Sequence, residues 1–345
     1  MNEMPMYSSF VSVIVPCYNE QQVLSETYAR LTQVMQAHFT RYELIFINDG
    51  SRDATLPILK MMAADDSNVS VLSFSRNFGH QPAVSAGIAN CRGEVAIIID
   101  ADLQDPPELI PDMVKLWKDK ACNVVYAVRS NREGETFFKK LTAKAFYRII
   151  NYLAEVPLPA DTGDFRLIDR KIINAFNQLS EHNKYIRGLI SWVGFKQEPI
   201  YYQRAERFAG STKYTLGKML KFAHSSLLYF SHKPLRMASS LGVISVGIAM
   251  VLLLWVVYNI IFLPNQLVHG WASLLIVIMF FGGIQMLTIG VLGEYISSIF
   301  DEIKNRPEFI IDERINFLPE TTIEETLSLL KNQRSGKSSK AVYTE

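Results

Sequence analysis

From Met237 to Gly293 the chain contains no Asp, Glu, Lys or Arg. The stretch divides at Pro264-Asn265-Gln266, with His269-Gly270 close behind, into Met237–Leu263 of 27 residues and Trp271–Gly293 of 23. A bilayer core needs about 20 apolar residues per helix. Each half is therefore long enough to span, and the short polar loop joins them as a hairpin. Helices of a soluble core rarely run so far without a charge. The same stretch explains the composition: charged residues make up 20% of the chain, against about 25% in soluble domains, and the deficit is confined to it.

Flanking charge orients the hairpin. Lys213, Lys218, Lys221, Lys233 and Arg236 precede the first span, Lys304 and Arg306 follow the second, and the loop between has neither Lys nor Arg. The positive-inside rule places both flanks on the cytoplasmic side. Met1–Phe10 has no basic region, so no signal peptide is expected. Between Tyr214 and His232, Leu216, Met219, Leu220, Ala223, Leu227, Leu228 and Phe230 alternate with lysines, the pattern of an amphipathic helix lying on the membrane surface. The expected division is 1–213 as a catalytic domain, 214–236 as the interfacial region, 237–296 as two spans (about 237–263 and 271–293), and 297–345 as a cytoplasmic tail ending in a Ser/Lys-rich segment.

The length allows about two domains. A net charge of +1 leaves no electrostatic footprint for nucleic acid. Cys17, Cys91 and Cys122 form no CxxC pair, which argues against a disulfide scaffold or a cysteine zinc site. Residues 10–130 alternate short β-branched runs with helical patterns. Strands are expected at Val11–Val15, Leu44–Ile47, Val69–Phe74, Val95–Ile99 and Val124–Val128, and helices at Glu20–His38, Ala54–Ala64, Pro82–Cys91 and Glu108–Lys118. The alternation is that of an α/β fold with a mostly parallel sheet flanked by helices, whose ligands bind beyond the carboxyl ends of the strands. No G-x-G-x-x-G follows the first strand and no GxxxxGK[ST] occurs, which disfavours a dinucleotide fold and a P-loop NTPase.

At those strand ends lie Pro16-Cys17-Tyr18-Asn19-Glu20, Asn48-Asp49-Gly50-Ser51, Ser75-Arg76-Asn77, Asp100-Ala101-Asp102-Leu103-Gln104-Asp105 and Arg129. Asp100 and Asp102 at the end of an apolar strand repel one another unless a cation joins them. Carboxylates with the neutral oxygen of Gln104 suit Mg²⁺ or Mn²⁺ bridged to substrate phosphates. The bland alternative is a solvated turn that opens the next helix at Asp105-Pro106-Pro107. For Ser51 and Asp53, capping of the next helix is the commoner role. The six histidines show no ligand spacing; His80 stands apart only because it lies near the expected donor pocket.

Taken together, VIVPCYNE (Val13–Glu20), NDGSRDAT (Asn48–Thr55), SRNFGHQPAVSAGI (Ser75–Ile88), DADLQDPPE (Asp100–Glu108), GDFRLIDR (Gly163–Arg170) and RFAGSTKY (Arg207–Tyr214) resemble the family 2 glycosyltransferases of the GT-A fold. Within them the chain is most similar to the membrane-bound bactoprenol (undecaprenyl-phosphate) glucosyltransferases, with PLRM and LGEYI bracketing the hairpin. The resemblance covers about residues 10–310. It implies inverting transfer of a sugar, glucose before N-acetylglucosamine, from a UDP-sugar to polyprenyl phosphate at the bacterial inner membrane, for modification of cell-envelope glycans. It implies that Pro16, Tyr18 and Glu20 line the base and ribose, that Asp49 meets the uracil, and that Asp100, Asp102 and Gln104 hold the metal on the diphosphate. Arg129, Lys139 (or Lys140), Arg207 and Lys213 are implied for the acceptor phosphate. Asp164 and Asp102 carry the catalytic assignment. An acceptor phosphate is already largely ionised at neutral pH, so Asp164 is open between a base and a residue that orients substrate, with Arg166 as its candidate partner. A homo-oligomer, such as a tetramer, is implied as well. A processive polysaccharide synthase would need more spans and a Q-x-x-R-W motif, neither of which is present. A non-catalytic sugar-nucleotide sensor or scaffold is the alternative from another class.

Overall fold

The computed structural model describes residues 6–129, 162–181, 184–203, 233–262 and 271–317. In chain order the elements are β1 (Val11–Cys17), α1 (Leu24–His38), β2 (Tyr42–Asn48), α2 (Thr55–Asp65), β3 (Val69–Phe74), α3 (His80–Asn90), β4 (Val95–Ile98), α4 (Ile110–Lys120), β5 (Val124–Arg129), β6 (Thr162–Asp169), α5 (Arg170–Phe176), α6 (Ile186–Trp192), β7 (Gln197–Tyr202), α7 (Lys233–Phe262), α8 (Trp271–Ile303) and β8 (Ile311–Ile315). The strands form one eight-stranded sheet in the order β7-β5-β6-β4-β1-β2-β3-β8.

Period-two alternation of apolar residues within the strands makes two cores. Val11, Val13 and Val15 of β1 pack with Leu31 and Met35 of α1, Leu59 of α2 and Met113 of α4 on one face. Ile14 points the other way, to Ala83 and Ile88 of α3, Ile172 of α5 and Leu189 of α6. Strands covered on both faces need near-continuous apolar runs, and full burial of each Val, Leu or Ile stabilises by about 1.5–3 kcal/mol. At the amino end of the sheet a buried polar knot joins three segments. Ser12 Oγ donates to Glu43 Oε1 at 2.6 Å, and Arg92 Nε donates to Glu43 Oε2 at 2.8 Å. Gly93 N closes the knot on Ser12 Oγ at 2.8 Å.

Two features depart from the sequence pattern. The fifth strand does not follow the fourth across the sheet: β6 lies between them, antiparallel to both, while β7 pairs with β5 in parallel. Asp164 therefore lies inside β6. Part of the expected tail also returns to the sheet, where β8 pairs antiparallel with β3. Phe309 stacks on Phe74 with ring centroids 5.1 Å apart, and Glu308 Oε1 accepts from Ser85 Oγ at 2.9 Å.

Two long helices, α7 and α8, cover nearly all residues of the two expected spans, and α8 runs past Gly293 to Ile303. At about 1.5 Å per residue α8 measures about 50 Å, longer than the ~30 Å hydrocarbon core. Among the described residues one stretch, Val277–Ile303, is long and apolar enough to cross a membrane, and its apolar window is not buried in the protein; the apolar part of α7, Ala238–Leu252, is shorter. The loop 263–270, the interfacial segment 214–232 and the residues from 318 onward lie outside the described residues.

Candidate active site

Parallel strands deliver their carboxyl ends to one edge of the sheet, and the antiparallel β6 brings its amino end to the same edge. Ile98 of β4 pairs with Arg166 of β6; carried two residues further, that register sets Asp100 against Asp164. Between them sits His80, the first residue of α3, with Nε2 3.2 Å from Asp164 Oδ2 and 3.7 Å from Asp100 Oδ1. Asp164 is also gripped by Arg187 of α6, Nε to Oδ1 at 2.6 Å and Nη2 to Oδ2 at 2.9 Å. A bidentate guanidinium of this kind is among the strongest side-chain contacts.

The electrostatics follow from that geometry. Burial works to raise the Asp164 carboxyl, but Arg187 and then His80 hold it well below the usual carboxylate range. Burial pulls the His80 imidazole down, yet the hydrogen bond to Asp164 and the charges of Asp100 and Asp164 push it up to about 9. Asp100 is pushed up to about 6, by burial first and by Asp164, Asp105 and Asp102, against the opposing pull of His80. The expected pairing of Arg166 with the Asp164 carboxylate is not what forms. Arg166 is buried, and Nη2 donates to the Gly163 carbonyl at 3.0 Å while Nε reaches the Asp164 carbonyl at 3.4 Å.

The loops after β1 and β2 are laced to one another. Asn19, at φ 56, donates its N–H to Ser51 Oγ at 3.0 Å and accepts from Arg52 N at 2.9 Å. Glu20 N donates to Thr55 Oγ1 at 2.9 Å. Asp53 does receive the Thr55 N–H, at 3.0 Å, in the manner of a cap, but Ser51 serves the opposite loop instead. Tyr18 and Glu20 are half-buried, whereas Pro16 is buried within β1, beneath the site and not on its wall. Asp49 departs further from expectation. It is 3% exposed, and its oxygens accept from Phe78 N at 2.7 Å, Gly79 N at 3.0 Å and Asn77 Nδ2 at 2.8 Å. Its carboxylate thus shapes the loop that presents His80. Gly50 in the same turn has φ +61, and a Cβ there would lie 2.3 Å from the Arg76 carbonyl carbon, so only glycine fits.

Asp102 Oδ1 accepts from Gln104 N at 3.2 Å, and both side chains are half-buried beside Asp100. Among the described residues no three His, Cys, Asp or Glu side chains converge as a complete metal cage. The donor set is two hard carboxylates and an amide, which fits a divalent cation that keeps substrate oxygens in its shell. Arg129 stands at the end of β5, with Nε 3.4 Å from the Tyr202 hydroxyl. Lys139, Arg207 and Lys213 lie outside the described residues. Sequence reasoning missed Arg187 and Tyr202; neither belongs to a motif, and each reaches the site only through the fold.

Residues 12–176 match the model of glycosyl transferase family 2. An uncharacterized glycosyltransferase of Bacillus subtilis strain 168, YkcC, is 48% identical over 300 residues, covering 87% of this chain and 92% of that protein. A prophage bactoprenol glucosyl transferase homolog of Escherichia coli K12 is 39% identical, covering 87% and 98%. The bactoprenol glucosyl transferase of Shigella phage SfII is 38% identical, covering 87% and 97%. The chain belongs to glycosyl transferase family 2, is a glycosyltransferase, and resembles the members of that family named bactoprenol glucosyl transferases.

Proposed function

We propose that this enzyme transfers a hexosyl group, glucose before N-acetylglucosamine, from a UDP-sugar to polyprenyl phosphate at the cytoplasmic face of the bacterial inner membrane. The observation that carries the reading is the cluster of Asp100, His80, Asp164 and Arg187 at the carboxyl edge of a sheet tethered to long apolar helices. Tyr18 and Glu20 line the nucleotide side. Asp100 and Asp102, with Gln104, would hold Mg²⁺ or Mn²⁺, which would supply neutralisation of the charge on the departing nucleotide diphosphate. Arg129, with Lys139, Arg207 and Lys213 from the membrane-proximal sequence, meets the acceptor phosphate. The phosphate oxygen attacks the anomeric carbon in line, and the configuration inverts. Asp164, with both oxygens occupied by Arg187, orients substrate and is not a base; the ionised phosphate needs none. Positioning and fixed charge account for most of the rate. The helices α7 and α8 form a two-pass anchor, and copies of the chain assemble as a homo-oligomer.

The test is transfer of radiolabel from a panel of UDP-sugars to a short-chain polyprenyl phosphate in detergent. We expect a lipid-linked product that disappears with chelator and falls at least about a hundredfold in Asp102→Asn, the scale at which lost electrostatic stabilisation is felt. Full activity of that variant in chelator would overturn the metal site. Donor binding without any lipid product would point instead to a sensor.

A further inference from the structure

Tyr202, the last residue of β7, touches three parts of the site at once. Its ring packs edge-on against Phe165, the neighbour of Asp164, with centroids 6.0 Å apart. Its hydroxyl donates to Asp105 Oδ1, the last residue of the aspartate-rich loop, which is 1% exposed. The same hydroxyl oxygen lies 3.4 Å from Arg129 Nε. Arg129 and Tyr202 are register partners at the ends of β5 and β7. The far end of the guanidinium reaches over Gly163, where a Cβ would stand 3.1 Å from Nη2.

We propose that Tyr202 is a positioning residue that fixes the plane of the Arg129 guanidinium and locks it to the aspartate-rich loop through Asp105. A phenol has one proton to give and lone pairs to receive. Its proton goes to Asp105, which leaves the oxygen to accept from Arg129 Nε–H. With Nε engaged, the terminal nitrogens of Arg129 are presented as a fixed fork beside Gly163. That is the geometry in which arginine meets phosphate oxygens. Donor loop and acceptor arginine are thereby set in one frame, although they come from different strands. The role deepens the proposed function, because it rests on Arg129 meeting the acceptor phosphate.

A double-mutant cycle tests it, with KM for short-chain polyprenyl phosphate, KM for the UDP-sugar, kcat and melting temperature as readouts. Tyr202→Phe keeps the packing on Phe165 and removes only the hydroxyl. We expect it to raise the acceptor KM about tenfold, the scale of a hydrogen bond to a charged group, and to leave the donor KM within about twofold. In an Arg129→Ala background the same change should move the acceptor KM by less than about twofold. Tyr202→Phe paired with Asp105→Leu replaces both buried partners by apolar groups and guards against misfolding; it should show the same rise. An equal effect of Tyr202→Phe in both backgrounds, or one confined to melting temperature, would overturn the positioning role while leaving the proposed function intact. An unchanged acceptor KM in Arg129→Ala alone would instead remove Arg129 from the acceptor site and the Tyr202 role with it.

Discussion

Arg187 and Asp164 show what one contact does at the floor of this site. The Asp164 side chain is 12% exposed and Arg187 32%. Removing the guanidinium leaves a largely buried carboxylate with His80 as its remaining near neighbour among those named above. Breaking buried pairs costs about 3–5 kcal/mol; with Arg187 partly wetted, about 2 kcal/mol is expected for Arg187→Ala. Thermal unfolding in detergent should register that loss, and radiolabel transfer should fall at least about tenfold. Arg187→Lys should not restore it, because an ammonium lacks the fork. Wild-type melting and turnover in Arg187→Ala would show that Asp164 does not depend on it. The residue-scale lesson concerns spacing. Asp100 and Asp102 are legible because they share one turn after one strand, and both carboxylates stay together in any fold that keeps the strand. Arg187 is 23 residues from Asp164, and Tyr202 is 73 from Arg129. Such pairs exist only once helices and strands have docked, and neither residue type is rare enough to stand out beforehand.

At the scale of elements, apolar runs marked the first five strands but not their neighbours. A run of β-branched residues says that both faces will be covered; it is silent about which strand lies alongside. The insertion of β6 between β4 and β5 is of that kind, and it decides the chemistry, since it sets Asp164 opposite Asp100. The strand at Ile311–Ile315 was hidden for a different reason. Exposure alternates along Ile311–Ile315, but the sequence, Ile-Asp-Glu-Arg-Ile, has three charged residues in a row, follows a long apolar helix and is easily read as a solvated tail. The return is held by Phe309 on Phe74, by Glu308 with Ser85, and by Asn316 Nδ2 donating to the carbonyls of Ala63 and Val69 at 2.6 and 2.8 Å. Lys60 adds an ion pair to Glu313. Full truncation of a buried Phe costs about 3–5 kcal/mol. Phe309 is half-buried, so Phe309→Ala should cost about 2 kcal/mol and expose the segment 304–310 to limited proteolysis. Unchanged protease resistance would mean that the stacking does not hold the return in place.

At the scale of the whole molecule, the charge-free stretch Met237–Gly293 sets the two long helices apart from the rest of the chain. Apolar side chains of α8 such as Leu274, Ile278, Met279, Met286 and Leu287 are more than half exposed, a surface that water would not leave so open. The proposed two-pass anchor has both flanks of the hairpin on the cytoplasmic side. With a single cysteine placed in the loop, Asn265→Cys should react with a membrane-impermeant maleimide from outside intact cells. Asp312→Cys, on the exposed face of β8, should react only after permeabilisation. The native thiols are all buried and should stay silent in both. Labelling of both positions from the same side would overturn the two-pass topology.

The return of β8 bears on how the protein is made. Strands β1 to β7 leave the ribosome first, yet the partner of β3 is synthesised only after both long helices. Until then β3 offers an open edge from Val71 to Phe74, and open edges invite pairing with other chains. The sheet is therefore completed last, by a strand that follows both long apolar helices in the chain. With the proposed membrane anchor, a copy whose helices have not reached the bilayer would still carry the β3 edge unpaired, so that insertion of the helices and closure of the sheet would be linked in time.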